Sequence, residues 1–228
     1  MTAKINRNQV KLLAVIAMTL NHIAHIFLPN GILKLFLVGL GNGTAVTMVC
    51  FLVDGYFYTH SRKRYAIRLF LTALLSQLPF AIAFEEFHIG LNMMFSLLFA
   101  LAACRVCEVE NKILRILLFI PIIILSLFSD WRILPVIYAV AFMMEKKGKM
   151  NRFAAGITCL LVFMMWEGAA HPFIILLNSS GFILFLFWYL GEWTDAKEPP
   201  ASKVLKYFFY LYYPLHLSVL AIIKNTLF

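Results

Sequence analysis

Thr19, His22 and His25 recur at three-residue spacing, and near the other end of the chain Phe209, Tyr212, Tyr213 and His216 recur at i, i+3, i+4 and i+7. On helices, each set falls along one face. Imidazole is the side chain that exchanges a proton near neutral pH, so His22 and His216, embedded in apolar sequence, are candidates for general acid-base chemistry. Asp54, Gln77, Asn92 and Tyr138 add a carboxylate, two amides and a phenol inside other apolar runs. A carboxylate beside an imidazole would orient the ring and stabilise its cationic form, and a phenol or second imidazole could donate to an oxyanion. The plainer reading is that these are packing groups: a neutral histidine bonded to a neighbouring helix, and Asp54 in a structural pair with an arginine or lysine.

The elements that carry these residues are membrane spans. Of 228 residues, 62% are of apolar type and only 14% charged, more apolar side chain than a soluble domain of this length can bury. Nine apolar runs are expected to form helices: 11–28, 44–60, 67–84, 92–107, 113–129, 133–144, 153–168, 172–190 and 206–225. Residues 32 to 38 read as a re-entrant or interfacial piece, and Gly39-Leu40-Gly41-Asn42-Gly43 as a hinge. The expected architecture is an all-α polytopic bundle forming a single integral membrane domain over residues 1–228.

The net charge of +9 is scattered between the runs and forms no nucleic-acid patch. Summed on alternate sides, 17 of the 20 lysines and arginines fall together, leaving Lys34, Arg132 and Lys224 opposite. By the positive-inside rule this places the N-terminus in the cytoplasm and the C-terminus outside. Asp54, Gln77 and His216 each stand ten residues into a run, about 15 Å from its end, level with His22. Tyr138 is mid-run. Polar groups at one depth in five spans describe a lined cavity. Pro214 is expected to kink the last helix just before His216.

Around this cavity the loops offer further groups. Glu85, Glu86 and His88, then Asp130-Trp131-Arg132, then the segment from Glu167 to His171 are expected on the external face, where they would shape a mouth or simply be solvated. Arg62, Lys63 and Arg64 form the densest basic cluster, expected on the opposite face. Cys104 and Cys107 have CxxC spacing without a second ligand pair, and all four cysteines read as packing residues, with no metal implied. No Walker loop, GxGxxG, HExxH or GxSxG occurs.

Four stretches together resemble the TraX family, membrane proteins grouped with the enzyme that acetylates the N-terminus of F-type pilin. They are Met18-Thr19-Leu20-Asn21-His22-Ile23, Phe51-Leu52-Val53-Asp54-Gly55-Tyr56-Phe57 with the basic run to Arg68, Asn92-Met93-Met94-Phe95-Ser96-Leu97-Leu98, and the last run through Tyr213-Pro214-Leu215-His216-Leu217. The resemblance implies a multi-pass protein of the bacterial inner membrane that transfers an acetyl or short acyl group from acetyl-CoA to an amine or hydroxyl acceptor. It makes His22 the catalytic base, His216 a second cavity histidine, and Arg62, Arg64 and Arg68 the coenzyme's phosphate contacts. Asn21 or Asp54 would hold the imidazole, Tyr213, Tyr138 or His216 would donate to the oxyanion, and Tyr138, Gln77 and Asn92 would line the substrate site. The family's usual aspartate before the histidine is Asn21 here, and asparagine cannot neutralise an imidazolium. A proton-coupled transporter using the same intramembrane groups, or a non-catalytic envelope-assembly scaffold, are the competing expectations.

Overall fold

The computed structural model describes residues 6–84, 90–168, 171–191 and 203–227, without the side chains of 203–206. Among these, secondary structure is helical: α1 (Arg7–Phe27), α2 (Ile32–Tyr58), α3 (Arg62–Ala83), α4 (Met93–Val106), α5 (Lys112–Ser126), α6 (Leu134–Lys146), α7 (Arg152–Glu167), α8 (Pro172–Asn178), α9 (Ser180–Leu190) and α10 (Lys203–Leu227). Glu85, Glu86 and His88, and the basic residues Lys4 and Lys197, lie outside the described residues.

Short polar side chains set the starts of these helices. Asn6 and Gln9 form a reciprocal capping box on α1, and Ser61, Asn92, Asn111 and Asn151 each accept a backbone N–H at the start of α3, α4, α5 and α7. Such caps matter here because an unpaired helix terminus near lipid has little water to turn to.

Three helices, α1, α2 and α3, are long and apolar enough to cross a bilayer, and α8 with α9, bent by 55° at their junction, makes a fourth if the pair is one span. Large aliphatic side chains such as Leu75, Leu78, Ile113 and Ile116 are left on the outer surface. Outward apolar residues around a core that contains polar groups are what a lipid solvent selects.

The sequence reading divides α2 wrongly. It is one 27-residue helix in which Gly39, Gly41 and Gly43 continue the turns and do not form a hinge, and residues 32 to 38 are its first two turns, with no re-entrant piece. The glycines are there for close approach. A methyl group added at Gly43 would stand 2.2 Å from the Gly181 carbonyl oxygen, and one at Gly41 would stand 2.2 Å from Asn21 Cβ. With no side chain in the way, the backbones of α1 and of the α8–α9 break seat against opposite flanks of α2. Polar bonds secure the same contacts: Thr44 donates to the Ala14 carbonyl at 2.8 Å, Asn21 to Val38 at 2.9 Å and Asn42 to Asn178 at 3.2 Å. At the other side of α1, α10 packs along α3 and closes the ring of helices around a cavity.

Candidate functional site

The cavity has a volume of about 660 Å³. At its basic end it is lined by Lys11, Tyr58, Thr59, Tyr65, Arg68 and Tyr210, at its centre by His22, Met48 and Tyr213, and at the opposite end by His25, Asp130, Trp131, Trp166 and Glu167. These residues come from both ends of the bundle, so the space runs most of the way through it.

His22 is sixteen residues into α1, between the two ends. Its Nδ1 lies 2.9 Å from Nε2 of His216, and the two rings are nearly parallel, 10° apart with centroids at 5.1 Å. His216 Nδ1 is in turn 2.9 Å from the main-chain oxygen of Tyr212. A carbonyl only accepts, so in the neutral pair this contact puts the His216 proton on Nδ1 and leaves Nε2 with its lone pair. His22 must then donate from Nδ1, and its own Nε2 is the unprotonated nitrogen. The chain of bonds thus presents a basic nitrogen on a ring that lines the cavity, while His216 stands behind it outside the lining. The neighbouring turn is fixed as well, since Thr19 shares a 2.7 Å hydrogen bond with the Tyr212 hydroxyl.

Tyr213 meets both imidazoles edge-on, at 6.5 Å from His22 and 5.4 Å from His216. It is 4% exposed, and its hydroxyl has no hydrogen-bond partner among the described residues. A buried phenol with an unmet donor in a cavity wall is suited to a developing negative charge on a ligand.

Asp54 does not hold His22. It is four residues from the end of α2, at the basic end, where it pairs with Arg7 and, at 2.9 Å, with Lys146. The midplane depth expected for it came from starting the second span at residue 44 instead of 32. Asn21 does not hold the imidazole either: it lines the cavity, but its amide is spent on Val38 of α2. Gln77 and Asn92 bond each other at 2.9 Å, with Asn92 also donating to the Ala73 carbonyl, and they tie α3 to the start of α4 outside the cavity lining. Tyr138 is fully buried against Phe182, again away from the cavity.

The three arginines also separate. Arg62 bonds Glu108 at 2.7 Å, an oxygen it shares with Arg105, and covers the Tyr56 ring at 3.9 Å. Arg64 is exposed. Arg68 alone of the three lines the cavity, set against the rings of Tyr65 and Tyr210 at 5.6 and 5.8 Å, with its Nε buried and lacking a hydrogen-bond partner among the described residues. Lys11 joins it at this end, over the Phe51 ring at 4.8 Å.

Sequence reasoning missed Lys11, which it counted only toward orientation, and placed Asp130 and Trp131 in a loop that would shape a mouth or simply be solvated; both line the cavity. The available signal was a carboxylate flanked by an aromatic between two apolar runs. Its carboxyl is pushed up to about 7 by burial.

Residues 6–224 match the family described as TraX protein. A probable fimbrial assembly protein FimC, serogroup H1, of Dichelobacter nodosus is 30% identical over 238 residues, covering 96% of each chain. No solved structure matches. With its apolar helices and a match running nearly end to end, the chain belongs to the TraX family of membrane proteins.

Proposed function

We propose that this protein is a membrane-integral acyltransferase that moves an acetyl or short acyl group from acetyl-CoA, bound at the basic end of the cavity, to an amine or hydroxyl entering from the opposite end. In this reading α8 and α9 form one broken span, the chain crosses the bacterial inner membrane nine times, and the basic end faces the cytoplasm, where the coenzyme is found. The observation that carries the reading is the position of His22, between a cationic aromatic mouth and an acidic aromatic mouth, with its basic nitrogen set by His216.

Arg68 and Lys11 supply charge for the coenzyme's phosphates, and the Tyr65 and Tyr210 rings supply apolar faces. His22 Nε2 removes the acceptor's proton as the acceptor attacks the thioester carbonyl, a step worth about 10²–10⁴-fold. Tyr213 donates to the oxyanion. The same proton, carried on His22, protonates the departing sulfur. The fimbrial assembly relative suggests a surface-appendage subunit as the acceptor, and that choice also fits a site opening away from the cytoplasm.

The test is turnover of labelled acetyl-CoA by the detergent-purified protein. Saturable binding with acyl transfer or slow thioester hydrolysis is expected, lost in His22→Ala and weakened at the binding step in Arg68→Ala. A folded wild-type protein that neither binds nor consumes the coenzyme refutes the reading.

A further inference from the structure

We propose that Asp130 is a second proton-transfer residue of the cavity: it takes a proton from an acceptor that arrives as an ammonium ion, so that a neutral amine meets His22. This rests on the transferase reading above.

Asp130 sits in the link between α5 and α6, and its position is built. Its N–H donates to the Leu91 carbonyl at 2.7 Å, and Leu91 N–H donates to Phe128 at 2.7 Å, a short parallel bridge clamping the link to the residue before α4. Leu91 is held in its turn, because the next residue, Asn92, is fixed by Gln77 and Ala73. Those two amides, Asn92 buried and Gln77 half-buried, therefore act at a distance, by placing a carboxylate on the cavity wall.

Among the described residues the Asp130 carboxylate has no hydrogen-bond or ion-pair partner. The adjacent cation, Arg132, directs its guanidinium over the Trp166 ring at 5.5 Å. Of the titratable groups lining the cavity, His22 and His25 of α1, Glu167 of α7 and Tyr213 of α10 stand at its centre and at the Asp130 end, while Lys11, Tyr58, Tyr65, Arg68 and Tyr210 stand at the basic end and Tyr212 is bonded to Thr19. Burial brings its carboxyl to about 7, where it exchanges protons at neutral pH.

The chemistry requires such a group. An ammonium has no lone pair for attack, and the His22 pair accounts for only one proton, the one delivered to sulfur. Asp130 breaks an ammonium N–H bond and forms its own O–H, leaving the lone pair on nitrogen. The amine then forms the N–C bond as the thioester S–C bond breaks, and its second proton passes through His22 to the thiolate, giving amide and thiol. Asp130 releases its proton to solvent at the acidic mouth.

The experiment compares two small acceptors with the full-length protein at neutral pH: hydroxylamine, which is mostly neutral, and ethylamine, which is almost wholly protonated. Asp130→Asn is expected to lower acetylation of ethylamine by about a hundredfold while changing that of hydroxylamine by less than about threefold, with Asp130→Glu restoring part of the loss. Raising the pH should rescue ethylamine in Asp130→Asn. Equal losses on both acceptors, or no loss on either, overturn the proposal, as does a wild type that acetylates hydroxylamine but not ethylamine. A wild type inactive on both refutes the transferase reading itself, which separates the two failures.

Discussion

His22 and His216 lie one hydrogen bond apart, 2.9 Å between Nδ1 and Nε2, although 194 residues separate them in the chain. The Tyr212 carbonyl at the far end of this chain of bonds decides which nitrogen of each ring carries hydrogen.

That dependence makes the two histidines unequal. His22→Ala is expected to remove the base and cost about 10²–10⁴-fold in turnover. His216→Gln keeps an oxygen that can accept from His22 Nδ1 and should retain more activity than His216→Ala, whose loss falls in kcat with little change in KM. Steady-state kinetics of the three variants checks this, and equal activity in His216→Gln and His216→Ala would count against the orienting role.

Among the arginines only Arg68 reaches the cavity. Losing a charge-assisted contact worth about 1.5–3 kcal/mol should raise the KM for acetyl-CoA in Arg68→Ala by roughly ten- to a hundredfold. Arg62→Ala instead removes a partner of Glu108, so it should lower thermal stability and leave KM near wild type. Coenzyme titrations beside melting curves separate the two.

Asp54 joins α1, α2 and α6 through Arg7 and Lys146. Asp54→Ala leaves two cations facing each other at a partly exposed site, and a loss of about 1–3 kcal/mol follows. The pH profile of turnover in the remaining folded protein should match wild type, because this carboxylate does not touch His22. A profile shifted in Asp54→Asn would contradict the geometry.

Burial raises the Asp130 carboxyl to about 7, from roughly 3.9 in an unfolded chain. The folded protein therefore holds this proton more tightly than the unfolded one, and Asp130 penalises folding progressively as pH rises from the unfolded value through the folded one. Asp130→Asn should be the more stable protein at neutral pH, with a melting temperature that falls less between pH 4 and 7. A variant less stable than wild type across that range would exclude a desolvated carboxyl.

Much of this molecule is legible in its residues. Apolar runs and caps give the helices, and the i, i+3 spacing that singled out His22 and the motif around His216 led to the pair that does meet. Asp54, Gln77 and Tyr138 were drawn to the same centre by depth, and Asn92 by the resemblance. Depth is a one-dimensional coordinate, and it cannot tell a cavity wall from the far side of a helix. The glycines of α2 mislead for a related reason: outside lipid they break helices, while between packed helices they let backbones touch. Asp130 was seen only as part of a loop at a mouth, because its own place depends on a bridge to Leu91, a pairing between segments that no local pattern announces.

The reactive pair is divided between the first helix and the last. A ribosome that has made α1 through α9 has produced His22 and the acidic mouth, but Tyr210, Tyr213 and the partner of the basic nitrogen arrive only with the last helix. On the proposed transferase reading, the chain does not begin spending coenzyme while it is being synthesised, and a copy cut short before its final helix is expected to be inert.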